Sequence, residues 1–196
     1  MFGAWEDDKF IGVVIFSRGA NPQLGSPYGL EPSQCCELTR VALSQHESPV
    51  TKIVAAAIRA LREHSPGLRL IISYADPYQG HHGGIYQAGN WVYTGATSSA
   101  RSYVDRAGKT WHTRQVSESG FKRQFGEMRP VPRPSQLTRI DTPGKHRYLM
   151  PLDKAMRRQI SKLALDYPPP LAVEGSEETR PATGRESRVR SPATAL

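Results

Sequence analysis

The sequence predicts an α/β (α+β) fold: a mixed central sheet flanked by helices, followed by a basic C-terminal extension and a disordered tail. Three observations carry the prediction. Apolar, β-branched runs of strand length recur at Phe10–Phe16 and Leu68–Tyr74. Between them, Val50 to Leu61 has the 3.6-residue apolar period of an amphipathic helix. From Lys109 onward the chain becomes a run of basic residues with few acidic ones, and from Glu174 to Leu196 apolar patterning is almost gone.

The chain opens as a hairpin. Trp5 leads into an Asp7-Asp8 turn, and Phe10-Ile11-Gly12-Val13-Val14-Ile15-Phe16 is the strand that returns. Residues 17–34 are rich in Gly, Pro and Asn, too long for a simple turn and therefore a candidate for function. Glu37–Leu43 alternates polar and apolar residues and reads as the next strand. In the helix that follows, Ser48 is placed to cap and Pro49 suits the first turn. Val50, Ile53, Val54, Ala57, Ile58 and Leu61 share one face, and Ser65-Pro66-Gly67 stops it. The strand Leu68–Tyr74, a glycine-loosened loop, a helix over about 83–89 and the strand Trp91–Tyr93 complete a βαβ-rich half.

Beyond residue 100, Arg101–Val104 and Thr110–Gln115 flank Asp105-Arg106-Ala107-Gly108 as a hairpin. Two short basic helices are expected around Val116–Phe125 and Pro134–Ile140. His146–Pro151 reads as a final strand and Asp153–Ile160 as a short basic helix, after which Tyr167-Pro168-Pro169-Pro170 ends the domain. The expected organisation is one domain over residues 1–165, its basic part at about 100–165, and a disordered tail over 166–196.

At 196 residues the chain is expected to hold one domain with tails, or at most a domain and a small appendage. Only 38% of it is hydrophobic, diluted by 17 glycines and 16 prolines. No apolar run approaches the roughly 18 residues of a membrane span, and no secretory leader opens the sequence. Cys35 and Cys36 are adjacent and cannot build a disulfide scaffold, so a reducing cytoplasm and a structural thiol pair are expected.

A formal charge of +8 and a pI near 9.7 favour an anionic partner. The basic candidates are Lys109, Arg114, Lys122, Arg123, Arg129, Lys145 and Arg147, interleaved with Trp111, Phe121, Phe125 and Tyr148. That mixture suits phosphate contact with stacking groups, the plain alternative being a solvated surface.

Four positions could carry chemistry, counting the adjacent pair His81-His82 as one. Arg40 lies late in its strand, facing away from Leu38, and a charge inside a sheet needs a partner. Asp76, at the end of the neighbouring strand and fixed by Pro77, is the expected one. The pair reads either as structural or as functional, with Asp76 accepting a proton from an attacking amine and Arg40 orienting it or holding an anion. His81 and His82 sit between Gly80 and Gly83-Gly84, and only one of two adjacent histidines on an extended chain is expected to face a pocket. With Asp76 they could form a metal set of no recognised spacing. Tyr86 reads either as a general acid or as a buried core tyrosine.

Four phrases also carry a resemblance: Gly12–Phe16; Glu37-Leu38-Thr39-Arg40; Ser73-Tyr74-Ala75-Asp76; and Gly80-His81 with Gly84-Ile85-Tyr86-Gln87-Ala88-Gly89-Asn90-Trp91. In this order the chain resembles the GNAT-type acyltransferases and, more closely, the Mom family of phage DNA-modification proteins, over roughly residues 5–165. The resemblance implies a GNAT-like transferase, phage- or prophage-encoded, that adds a carbamoylmethyl group to adenine N6 and protects phage DNA from host restriction. Arg40, Asp76 and Tyr86 match the family's functional positions, with His81 nearby, and the basic region would hold double-stranded DNA. A GNAT-type fold begins with a strand and helices ahead of this hairpin, so an N-terminal lid is expected to be missing.

The donor loop of that superfamily is glycine-rich, whereas Ser44–Pro49 holds no glycine. Phosphate would then fall to the helix start at Ser48, Val50 and Thr51, and the donor stays open between acyl-CoA, an aminoacyl donor and a metal-assisted (iron) route. A conventional N-acyltransferase acting on a protein or small amine, and a non-catalytic nucleic-acid-binding module, are the alternative readings.

Overall fold

A computed structural model describes residues 1–19 and 21–169, so most of the expected tail lies outside the described residues. The opening hairpin forms as expected: β1 (Phe2–Glu6) and β2 (Lys9–Ser17) are joined at Asp7 and Asp8, both with positive φ, as a tight hairpin turn requires. Then come β3 (Cys35–Leu43), α1 (Val50–His64), β4 (Leu70–Ala75), α2 (Gly84–Ala88) and β5 (Val92–Ala96). The second half holds β6 (Ala100–Val104), β7 (Thr110–His112), β8 (Phe121–Gln124), β9 (Glu127–Pro130), β10 (Thr138–Thr142), β11 (His146–Pro151) and α3 (Lys154–Ser161).

Six strands make the main sheet in the order β1-β2-β3-β4-β11-β5, in which only β3 and β4 run parallel. The last strand therefore inserts between β4 and β5, antiparallel to both. The period-2 alternation of β4 sends Ile71 and Ala75 to one face and Leu70 and Ile72 to the other. On the first face Val54, Ala57 and Leu61 of α1 pack with Ile71, Trp91 and Tyr148. On the second, Met156 and Ile160 of α3 pack with Leu70, Ile72 and Leu149, joined by Tyr28 and Leu30 from the long 17–34 loop. Both cysteines are free and buried, and burial pushes Cys35 up to about 11 and Cys36 to about 12. They are inert core thiols.

Two sequence expectations are corrected in the basic region. Neither Val116–Phe125 nor Pro134–Ile140 is a helix. The first segment ends in the β8–β9 hairpin, turned by Phe125 and Gly126 at positive φ. The second holds a single 3-10 turn at Pro134–Gln136, and Thr138–Thr142 pairs with β6 in a separate β10-β6-β7 sheet. Prolines at 130, 132 and 134 remove amide donors from any helix there. Ser48 also does not cap α1: Pro49 occupies the cap position, without a side-chain bond.

At the far end, Leu165 N–H donates to the Tyr93 carbonyl (2.9 Å) and the Tyr167 hydroxyl to that of Trp91 (2.7 Å), so the chain returns along β5. Among the described residues no helix is long and apolar enough to cross a membrane.

Candidate active site

The cleft arises where the one parallel ladder among the described residues fails. β3 and β4 pair at Cys35/Leu70, Cys36/Ile71 and Glu37/Ile72, and then separate. Beyond that point β3 stays with β2, through a register shift opposite Thr39, while β4 stays with β11. Parted strands leave carbonyls without a ladder partner, and such groups need another. Ser73, fully buried, supplies it: Ser73 Oγ lies 2.8 Å from the Leu38 carbonyl and 2.7 Å from the Tyr86 hydroxyl. A serine has one hydrogen and a carbonyl can only accept. The serine therefore donates to Leu38, and the Tyr86 phenol donates to the serine. Burial holds that phenol's pKa above its ordinary value.

A cavity of about 740 Å³ opens from this gap and is lined by Arg40, His46, Asp76, His81, His82 and Tyr86, among others. All four residues singled out for chemistry thus meet at one place. Arg40 is exposed and, among the described residues, has no carboxylate partner. The expected Arg40–Asp76 pair does not form. Asp76 instead takes Lys145 (Nζ–Oδ2 2.9 Å) and accepts the Tyr78 N–H (3.1 Å). The reason is topological: Ala75 of β4 is in register with His146 of β11, which delivers Lys145 beside Asp76, whereas Arg40 belongs to the strand that splays away.

Both histidines line the cavity, against the expectation that only one would. The loop is not extended: Gly80 and Gly83 hold φ of 75° and 90°, and the chain turns between them. His81 N–H donates to the Asp76 carbonyl (3.0 Å). The His82 carbonyl accepts the Tyr148 hydroxyl at 2.6 Å. A Cβ on Gly83 would sit 2.3 Å from the Tyr148 ring, so the buried tyrosine of the inserted strand fixes where α2 begins. Tyr86 is half-buried between Trp91 and Tyr148, with ring centroids 5.1 Å from each. It is at once a packed tyrosine and a wall of the cavity.

Of the residues expected to meet a donor, Val50 lines the cavity, while Ser48 and Thr51 are not among its lining residues. The amides of Glu47 and Ser48 are already taken by the Glu6 carboxylate, each at 2.8 Å, and the Ser48 hydroxyl together with these amides holds its pKa below the ordinary value. A carboxylate stands where a donor pyrophosphate would bind, and the residues there do not fit that group while Glu6 remains. Nor, among the described residues, do three His, Cys, Asp or Glu side chains come together as a metal set.

The basic candidates divide. Lys109 lies 3.9 Å from the centroid of the Trp111 ring, whose indole N–H donates to Asp105 (2.9 Å). Lys122 donates to the Arg114 carbonyl, and Arg114, Arg123 and Arg129 are exposed. Lys145 borders the cavity through Asp76 and also lines a smaller groove of about 260 Å³ with Thr97, Ser102, His112 and Thr142. Arg147 differs: it is half-buried and donates to the Thr94 hydroxyl (2.9 Å) and carbonyl (3.1 Å). It stitches β11 to β5.

Three participants escaped sequence reasoning: Ser73, Lys145 as the Asp76 partner, and Tyr148. Ser73 alone left a signal, a hydroxyl inside the apolar run Leu70-Ile71-Ile72. Comparison with known proteins then bears on the whole domain. The model of the Mom protein family matches residues 1–169. No curated protein matches the chain.

Proposed function

The chain belongs to the Mom protein family, a family of phage DNA modification, and from that premise we propose that it adds a carbamoylmethyl group to the N6 of adenine in double-stranded DNA, shielding phage DNA from restriction in the bacterial cytoplasm. One observation carries this reading: Arg40, Asp76, His81 and Tyr86, drawn from three separate stretches of chain, line one cavity at the point where β3 and β4 part. Its volume of about 740 Å³ lies within the roughly 300–1,000 Å³ typical of small-molecule sites. An adenine amino group is reached by extruding the base from the stack, and the cavity is open enough to receive one.

The roles follow from the surroundings of each group. Asp76 takes the proton released as N6 forms its new bond, oriented by Lys145 and the Tyr78 amide. Tyr86, kept protonated by burial, turns its hydroxyl hydrogen from Ser73 to the donor's leaving group as the bond between that group and the transferred methylene breaks. Arg40, uncommitted to any carboxylate among the described residues, holds an anionic part of the donor or a DNA phosphate. His81, exposed at the rim, serves as a second proton carrier. The mixed sheet with its single parallel pair supports the GNAT-like relationship.

The test is mass spectrometry of nucleosides from plasmid DNA recovered after expression of the chain, beside Asp76→Asn. The expected result is a carbamoylmethylated adenine that disappears in the variant. Unmodified DNA from well-folded wild-type protein refutes the reading.

A further inference from the structure

The β8–β9 hairpin is a ribbon of its own, paired from Phe121/Pro130 to Gln124/Glu127 and belonging to neither larger sheet. Its tip is costly to the isolated protein in two ways. The two-residue turn Phe125-Gly126 has positive φ at both positions, 53° and 86°, the geometry for which Asn-Gly is the favoured pair and which a bulky side chain resists. The phenyl ring that occupies this strained position is 91% exposed. Met128 and Phe121 beside it are 64% and 50% exposed. Around these apolar groups stand Arg123 and Arg129, both exposed, with the Arg129 guanidinium 5.4 Å from the Phe125 ring centroid. Arg129 also pairs with the Glu127 carboxylate at 3.3 Å, but both partners are exposed and such a surface pair is weak. Among the described residues the Phe125 ring is covered only by the Arg129 guanidinium. Arg123 and Arg129 beside an exposed ring suit an anionic partner with flat apolar surfaces within it. Stacked bases between phosphates have that chemistry.

We infer that the β8–β9 ribbon enters the major groove of duplex DNA and that Phe125 inserts from its tip into the base stack. This rests on the DNA-modification reading and deepens it. Four-residue strands extend roughly 13 Å, and the major groove, about 12 Å wide, admits a two-stranded ribbon. The adenine N6 amino group is displayed in that same groove. Arg123 and Arg129 meet phosphates on either side, while the inserted ring unstacks a base step and lowers the cost of extruding the target adenine.

The test uses the full chain and a duplex carrying 2-aminopurine, whose fluorescence rises on unstacking, with affinity followed by anisotropy across a salt series. Phe125→Asn is the informative variant, since Asn-Gly suits the turn and should leave thermal stability equal or higher. Its expected effect is about tenfold weaker duplex binding and loss of the fluorescence rise, with Phe125→Trp restoring both. The pair Arg123→Gln and Arg129→Gln should lower the salt slope by about two. Wild-type-like unstacking by Phe125→Asn, with plasmid adenine still modified, overturns the ribbon while leaving the DNA reading intact. Failure of the wild-type chain both to bind duplex and to modify DNA overturns the two together. A change in self-association on sedimentation without a change in DNA binding makes the tip a protein contact, and also overturns the inference.

Discussion

Replacing Ser73 by alanine tests whether the site depends on the parting of β3 and β4. The substitution adds no strain, because the volume change is small, but it strips two groups of their partner: the Leu38 carbonyl at 2.8 Å and the Tyr86 hydroxyl at 2.7 Å. A buried carbonyl left unpaired costs about 1–3 kcal/mol, and a lost neutral hydrogen bond about 1 kcal/mol. Ser73→Ala should therefore cost about 2–4 kcal/mol. Tyr86→Phe leaves the Ser73–Leu38 bond in place and should cost only about 0.5–1.5 kcal/mol. The double variant should fall short of the sum by about 1 kcal/mol, because the Tyr86 contribution is lost only once. Urea unfolding with linear extrapolation measures all three. On activity the order reverses, with Tyr86→Phe abolishing modification and Ser73→Ala, which keeps the phenol, reducing it. Strict additivity of the two substitutions, or a Tyr86→Phe cost equal to that of Ser73→Ala, refutes the proton arrangement deduced here.

Gly83→Ala should destabilise the fold by about 2–4 kcal/mol, since its Cβ would meet the Tyr148 ring at 2.3 Å from a φ of 90°; a melting temperature within a degree or two of wild type contradicts this. Two carboxyls give opposite pH dependences. Desolvation raises the Glu37 pKa, with Lys145 pulling the other way, so its contribution is fully present below the unfolded value of about 4.3 and is lost as pH rises through the folded value. Glu37→Gln should accordingly be more stable than wild type at pH 7 and equal to it below about pH 4, and an unfolding midpoint that drops at pH 7 excludes the account. Asp153 is held down to about 2 by Arg69 and the Met156 amide, so its stabilisation is present above about pH 4 and lost as pH falls toward 2. Because that ion pair is more than a third exposed on the carboxylate side, screening leaves about 1 kcal/mol, which Asp153→Asn should remove at pH 7 but not at pH 2.

What the sequence made legible was local. The Asp7-Asp8 turn, the apolar face of α1, the run into β4 and the short basic helix after Pro151 all follow from neighbours a few residues apart, and each formed. The basic region misled because charge dilutes periodicity. Val116–Phe125 has neither a clean 3.6 nor a clean 2.0 pattern, and the Phe-Gly turn lacks the asparagine that marks most such hairpins. Ser48 has the right side chain for a cap, yet its amide and that of Glu47 are claimed by Glu6, a residue more than forty positions away. No local rule reaches that far.

The same limit separates the four candidate residues, which meet at one cavity, from their partners, which the sequence did not indicate. Arg40, Asp76, His81 and Tyr86 lie at strand ends and glycine-flanked turns, places where any open sheet presents groups to a cleft. Their environment is set by β11, a strand from the far end of the domain that inserts where β4 and β5 would otherwise meet. From it or just before it come Lys145 to Asp76, the Tyr148 hydroxyl to the His82 carbonyl, and Arg147 to Thr94. One strand thus orients the carboxylate, shapes the histidine loop and locks the sheet edge. Lys145 also lines the groove beside the small β10-β6-β7 sheet, so a phosphate drawn to that groove would compete with Asp76 for the same ammonium. On the proposed reading that one ammonium therefore joins the groove to the carboxylate that takes the N6 proton.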